Sequence, residues 1–214
     1  MKILMNMGKK KNLIELSLTD FVDYVSKAGS SKLTKVRQLK ERDIVYNPAH
    51  DFYKALREGI TDIHKTNGKK ADLTRIIDNL KDKKKLENYK LALDGYRKFW
   101  GRKNINYFDP PFKHWVIGDL DVRINPELGL EFNGEFYVIK LYFKSDKLSK
   151  DRTAQILTLM ESELRNVDGV EEEVKMAILD VKNSKLYIKD DKDLPLIILL
   201  AGEAKGLQEI WKSL

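Results

Sequence analysis

The chain has 214 residues, 42% hydrophobic and 34% charged, enough for a sizeable core; collagen-like and largely disordered classes are excluded. Cysteine is absent and histidine is confined to His50, His64 and His114, which rules out disulfide scaffolds, zinc–cysteine sites and thiol nucleophiles. The net charge of +7 is uneven, with +12 in residues 1–114 and −5 in residues 115–214, so the N-terminal half offers either a face for nucleic acid or an acidic partner, or a solvated lysine-rich surface.

Met1–Asn12 lacks the apolar core of a secretory signal, and Leu13–Leu18 alternates like a short strand. Thr19 offers a helix cap before Phe21, Val22 and Val25, with Gly29 as the stop. Leu33, Val36 and Leu39 predict a second helix. Asn47-Pro48 opens a third, carried by Phe52, Leu56, Ile60 and Ile63 and ended by Asn67-Gly68. Asp72 caps a helix bearing Leu73, Ile76, Ile77 and Leu80. A further helix follows with Tyr89, Leu93, Tyr96 and Trp100 on its stripe and Gly101 at its end. Together they read as a basic helical hairpin. Tyr96, Phe99 and Trp100 follow the apolar period and belong to the core. Lys83, Lys84, Lys85, Arg97, Lys98, Arg102 and Lys103 are the candidates for phosphate contacts. No base-reading motif accompanies them, so binding here is expected to be non-specific.

Asp109-Pro110-Pro111 marks the expected boundary between a mostly helical basic region, 1–109, and a mixed-sheet core, 110–214. Trp115–Asn125 alternates as one strand, with Val116, Leu120, Val122 and Ile124 on one face and Asp119, Asp121 and Arg123 on the other. Leu130–Phe132 is a short strand, and Asn133-Gly134 turns it into Glu135–Lys144, rich in β-branched and aromatic residues. Tyr137, Ile139, Leu141 and Phe143 form the core face of that strand. Val138, Lys140, Tyr142 and Lys144 face the other way. Ser149 caps a helix to about Asn166. Met176–Val181 and Leu186–Ile188 are strands, and Pro195 opens a helical tail with Leu207, Ile210, Trp211 and Leu214. The longest apolar run, Leu194–Ala201, is far short of the ~20 residues of a membrane helix, and a cytoplasmic protein is expected. The element order predicts an α+β fold with helices covering a mixed sheet.

On these faces Asp119, Asp121, Glu127, Glu131, Lys140 and Lys144 are expected to gather. Carboxylates beside a lysine suit phosphodiester hydrolysis: the acids hold Mg²⁺ and the lysine helps to position water. The alternative is a solvated face laced with cross-strand ion pairs. The three histidines read as structural or surface residues, and Asp190–Asp193 lacks the glycine and distal glutamate of a calcium loop.

The run INPELGLEFNGEFYVIKLYFK, Ile124–Lys144, with the following LSKDRTAQILTLM, resembles the core of the PD-(D/E)XK, or restriction-endonuclease-like, nuclease superfamily. The likeness covers about residues 115–190. It implies a Pro-Asp before one strand, a Glu-x-Lys on the next, then a helix and a further strand. Pro126-Glu127 stands at the first motif. Val138-Ile139-Lys140 stands at the second, with the lysine kept and the acid lost. Gln155 falls where some members carry a glutamine, and Leu159 stands where a tyrosine often follows. The resemblance thus implies Glu127 and Lys140 as site residues, with Glu127 and Asp121 as metal ligands and Asp121 and Glu131 as substitute acids. Any cofactor would be Mg²⁺, needed only if the core cleaves.

The sequence reading is a nucleic-acid-associated protein, DNA first, with a degenerate nuclease-like core and weak or absent cleavage. The second reading is a non-enzymatic protein that binds a protein partner or its own copy. The third is an active Mg²⁺-dependent nuclease with a migrated acid.

Overall fold

The computed structural model describes residues 13–44, 51–144, 148–189 and 196–214. The fold is α+β. Its centre is a five-stranded mixed sheet in the order β2 (Asn106–Phe108), β5 (Leu128–Phe132), β6 (Glu135–Tyr142), β7 (Lys175–Asp180) and β8 (Lys185–Ile188). β2, β5 and β6 run antiparallel in turn. α5 (Lys150–Leu164) then crosses over to β7, which lies parallel to β6, and β8 returns antiparallel. A second sheet holds β1 (Ile14–Ser17), β4 (Leu120–Ile124) and β3 (Lys113–Ile117), with β1 parallel to β4 and β3 antiparallel to it.

Both faces of the large sheet are covered. On one side, α3 (Lys54–Lys65), a 3-10 helix (Lys70–Ile76) and α4 (Lys83–Trp100) pack Leu56, Ile60, Leu73, Leu93 and Tyr96 onto Leu130, Ile139 and Leu179. On the other, α1 (Leu18–Val25), α2 (Ser30–Ile44), α5, α6 (Ile197–Ser213) and the small sheet close over Val138, Tyr142, Met176 and Ile178. β6 is therefore buried on both faces, as a strand with a parallel neighbour and helices on either side must be. The expected core face, Tyr137, Ile139, Leu141 and Phe143, lies in the first of these cores. On the opposite face Val138 and Tyr142 lie inside the second, Lys140 is buried and Lys144 is half-exposed. Asp109-Pro110-Pro111 falls between β2 and β3, and elements from both sides of it share each core.

Several local expectations shift. Trp115–Asn125 is not one strand but a hairpin, β3–β4, because Gly118 turns the chain at φ +60°, a conformation that suits glycine. The turn changes the phase of the alternation. Trp115 faces inward opposite Val122, and Val116 is left 54% exposed. The antiparallel meander is thus β2–β5–β6, with this hairpin inserted into it. Ser17, not Thr19, caps α1, accepting from the Asp20 N–H at 3.1 Å. The segment after Asp72 forms a 3-10 helix, so α4 has no α-helical hairpin partner there. Asp82 and Ser149 cap α4 and α5. Asn47-Pro48, His50, Asp190–Asp193 and Pro195 lie outside the described residues. At Gly95 α4 meets the turn after β7 so closely that a Cβ would stand 2.0 Å from the Val181 carbonyl oxygen. None of the described helices is long and apolar enough to cross a membrane.

Candidate functional site: a buried lysine–glutamate pair

The short segment from β4 to β5 carries the chain from one sheet to the other. Pro126 has no N–H to offer the ladder, and the strand pairing starts beside it. The Glu127 N–H donates to the Ile139 carbonyl at 3.1 Å, and Leu128 pairs with Ile139. This register puts Glu127 across from Lys140. The Glu127 carboxylate then extends the ladder with its side chain: Oε2 accepts the Leu141 N–H at 2.8 Å.

Its other oxygen, Oε1, accepts from Lys140 Nζ at 2.7 Å. The same ammonium donates to the Asn125 carbonyl at 2.8 Å and to Asn125 Oδ1 at 3.3 Å. Three donors thus meet three acceptors, and Lys140 is only 8% exposed. Arg57, from α3, approaches Glu127 Oε1 at 3.7 Å and holds Asp51 at 2.6 Å. Burial opposes the Arg57 charge, but Asp51 and Glu127 outweigh it and hold the guanidinium above its ordinary pKa. No sequence pattern links residue 57 to residue 127, so Arg57 is legible only in three dimensions.

The remaining acids expected here do not converge on this pair. Glu131 shares the sheet face of Lys140 but stands four residues from Glu127 along β5, roughly 13 Å at ~3.3 Å per residue. It accepts from Asn106 Nδ2 at 3.2 Å. Asp121 belongs to the other sheet and binds His114 Nδ1 at 2.6 Å. Asp119 sits at the β3–β4 turn, 3.3 Å from Lys212 Nζ, and Lys144 pairs with Asp23 of α1. Val138, where the resemblance would place an acid, is fully buried. Mg²⁺ requires oxygens at about 2.0–2.1 Å in an octahedral set. Among the described residues no group of three or more histidines and acids is placed to hold a metal, and the oxygens around Lys140 already enclose its ammonium. The residues present do not fit Mg²⁺.

The basic candidates divide. Arg97 is held by Asp94 at 3.0 Å and by Thr74 at 3.2 Å. Lys103 donates to the Phe99 carbonyl, lies 4.7 Å from the Phe99 ring centroid and 5.6 Å from that of Phe132, and has its pKa pulled down by burial. Lys85 is half-buried, 5.8 Å from the Phe52 ring. Lys83, Lys84, Lys98 and Arg102 are exposed. They form two groups at opposite ends of α4, roughly 20 Å apart at ~1.5 Å per residue. His64 is buried with its Nε2 2.6 Å from the Tyr96 hydroxyl and its ring stacked on Trp100. Burial pushes its pKa down to about 4.

Comparison with protein-family models, with curated proteins and with solved structures finds no match to this chain.

Proposed function

We propose that the protein binds nucleic acid through its basic N-terminal surface, without strong sequence preference, and that its nuclease-like core does not cleave. The observation that carries the absence of cleavage is the saturated Lys140 ammonium. Its hydrogens are spent on Asn125 and Glu127, and each Glu127 oxygen is engaged, one by Lys140 and one by the Leu141 N–H. A lysine in that state does not activate water, and it acts instead as a rivet across the passage between the two sheets. The order α4, antiparallel β2–β5–β6, α5, then β7 parallel to β6 supports the likeness to the PD-(D/E)XK scaffold. Lys83, Lys84, Lys98 and Arg102, exposed on a half that carries +12, support phosphate contact.

The test is fluorescence anisotropy with labelled duplex and single-stranded DNA over a salt series, alongside plasmid incubation with Mg²⁺ or Mn²⁺. The expected result is binding that falls steeply with salt and no cutting above background. Absence of binding at low salt, where charges are least screened, overturns the reading. Metal-dependent cutting that Lys140→Ala abolishes without unfolding the chain restores the active-nuclease reading. A salt-insensitive complex with a protein favours the interaction reading instead.

A further inference from the structure

Where β6 ends and the chain leaves for α5, basic side chains from three elements crowd two carboxylates. Asp20 and Asp23 come from α1, Lys35 and Arg42 from α2, Lys144 from just beyond β6 and Arg152 from α5. Arg42 takes both Asp20 oxygens, at 3.3 and 2.7 Å, and Ser17 Oγ donates to Asp20 Oδ2 as well. Lys144 donates to Asp23 Oδ2, and Arg152 Nη2 stands 3.4 Å from Asp23 Oδ1. Each carboxylate oxygen thus has its cation before Lys35 is counted. Burial would raise the Asp20 carboxyl, yet Arg42, Ser17 and Lys35 hold it below its ordinary pKa.

Lys35 is the member left over. Its side chain is 16% exposed, and its ammonium stands 3.6 Å from Asp20 and 3.7 Å from Asp23, ion-pair distances without a hydrogen bond to either. Its three N–H groups therefore have no acceptor among the described residues. They are not sealed off. The buried polar atoms that meet no partner among those residues are Arg152 Nε, Gln155 Oε1 and Thr158 Oγ1, all on α5, so the Lys35 ammonium opens to solvent. With Arg42 neutralising Asp20, Asp23 alone faces Lys35, Lys144 and Arg152, a surplus of two positive charges among the described residues. Water can accept a hydrogen bond from Lys35 but does not offset that surplus in so enclosed a place. An anion does both.

We propose that this cluster binds the terminal phosphate of a nucleic-acid strand, with the Lys35 and Lys144 ammonium groups donating to its oxygens. The inference rests on the nucleic-acid reading above and names where one end of the strand sits. Both lysines stand beside the same oxygen, Asp23 Oδ2, so one phosphate can accept from both. A terminal phosphomonoester carries about −1.5 to −2 at neutral pH and matches a surplus of two, whereas an internal phosphodiester carries a single charge and leaves half of it. β6, α5 and β7 form a parallel β–α–β unit, and sheets built from such units hold ligands beyond the carboxyl ends of their strands, where this cluster lies. α1, α2 and α5 cover the face of the large sheet opposite α4, so the site is separate from the α4 cations.

The test is fluorescence anisotropy of the full chain in phosphate-free buffer with three single-stranded DNAs, each labelled away from the end in question. One carries a 5′-phosphate, one a 3′-phosphate, and one has hydroxyl ends and is two nucleotides longer, so that its charge matches. One of the phosphorylated strands is expected to bind about tenfold more tightly than the hydroxyl-ended one, the value of charge-assisted hydrogen bonds. Lys35→Met is expected to bring that ratio to about one without lowering the melting temperature, because Asp20 keeps Arg42 and Asp23 keeps Lys144 and Arg152. Lys144→Met repeats the test from the β6 side. A ratio near one with all three strands bound overturns the proposal and leaves the nucleic-acid reading standing, and so does a ratio that survives Lys35→Met. No binding by any strand at low salt overturns that reading and this one together. A saturable rise in melting temperature with inorganic phosphate, without preference for either phosphorylated strand, would give the site to free phosphate and also overturn it.

Discussion

The Glu127–Lys140 pair and the outer face of α4 are both charged, and the sequence nominates both for work on nucleic acid. They end in opposite environments. The pair is buried where the chain passes from β4 to β5 beside β6, with every ammonium hydrogen bonded and Arg57 of α3 near Glu127. The exposed cations Lys83 and Lys84 at the start of α4, Lys98 near its end and Arg102 just beyond it meet solvent. A charge whose partners are all supplied by the fold serves the fold, because moving it strands the group it neutralises. A charge left in solvent costs the fold little to change and is open to an outside partner.

The largest effect should come from the strand that carries the pair. Ile139 is fully buried in the core facing α3 and α4, beside the partnered Lys140. Ile139→Asp places a carboxylate there without a partner and is expected to cost more than about 4 kcal/mol, enough to unfold the chain. Circular dichroism and thermal melting read this directly. A folded, cooperatively melting Ile139→Asp variant would mean that the register of β6 is wrong.

The next effect tests the pair itself. Lys140→Ala leaves Glu127 with only the more distant Arg57 as a cation and leaves two Asn125 acceptors unmet, and is expected to destabilise by about 3 kcal/mol in urea melts, the low end for a broken buried pair. The double variant Lys140→Met with Glu127→Gln keeps an acceptor for Leu141 and removes both charges, and should recover much of that loss. A Lys140→Ala variant as stable as wild type would return Lys140 to the exposed class of charges, where the sequence placed it.

A third polar group inside the helical layer gives a pH test. His64 has a folded pKa of about 4 against an ordinary 6.5. The unfolded chain therefore binds a proton more readily between these values, and stability falls as pH drops through that window. The slope is about 1.4 kcal/mol per unit, or roughly 3 kcal/mol in all. Above the unfolded value the contribution is constant. Comparing wild type with His64→Gln by urea melts from pH 7 to pH 4 isolates it, since the carboxylates titrate in both. Parallel pH profiles for the two proteins would show that His64 takes up its proton without unfolding.

The smallest effect on stability and the largest on binding are expected together. Replacing Lys83, Lys84, Lys98 and Arg102 with glutamine should change stability by less than about 1 kcal/mol, the range of exposed charges. It should weaken nucleic-acid binding across all sequences and lower the salt slope. Binding unchanged in this variant would move the contact surface away from α4.

The helices and strands whose apolar residues repeat cleanly were legible early. Leu56, Ile60 and Ile63 predict α3; Tyr89, Leu93 and Tyr96 predict α4; Glu135–Lys144 predicts β6, and the α+β class follows from their order. Local periodicity carries that information because a helix or strand buries its own face by its own spacing. Glu127 and Lys140 could also be nominated together from the sequence, and they do meet. Their state was not. Alternation taken straight through Gly118 groups Asp121 with the acids of one face, but the chain turns there and β4 pairs in the other sheet. Arg57 and Asn125 gave no signal at all. Whether a face is solvated depends on what packs over it from distant parts of the chain: α1, α5 and α6 cover Val138 and Tyr142, and α3 brings Arg57 to Glu127. Residue types and spacing settled the long, cleanly periodic elements and the balance of charge between the halves. Burial and partner choice belong to long-range contacts, so only the tertiary structure decided that Lys140 is an internal rivet and that Lys98 meets solvent.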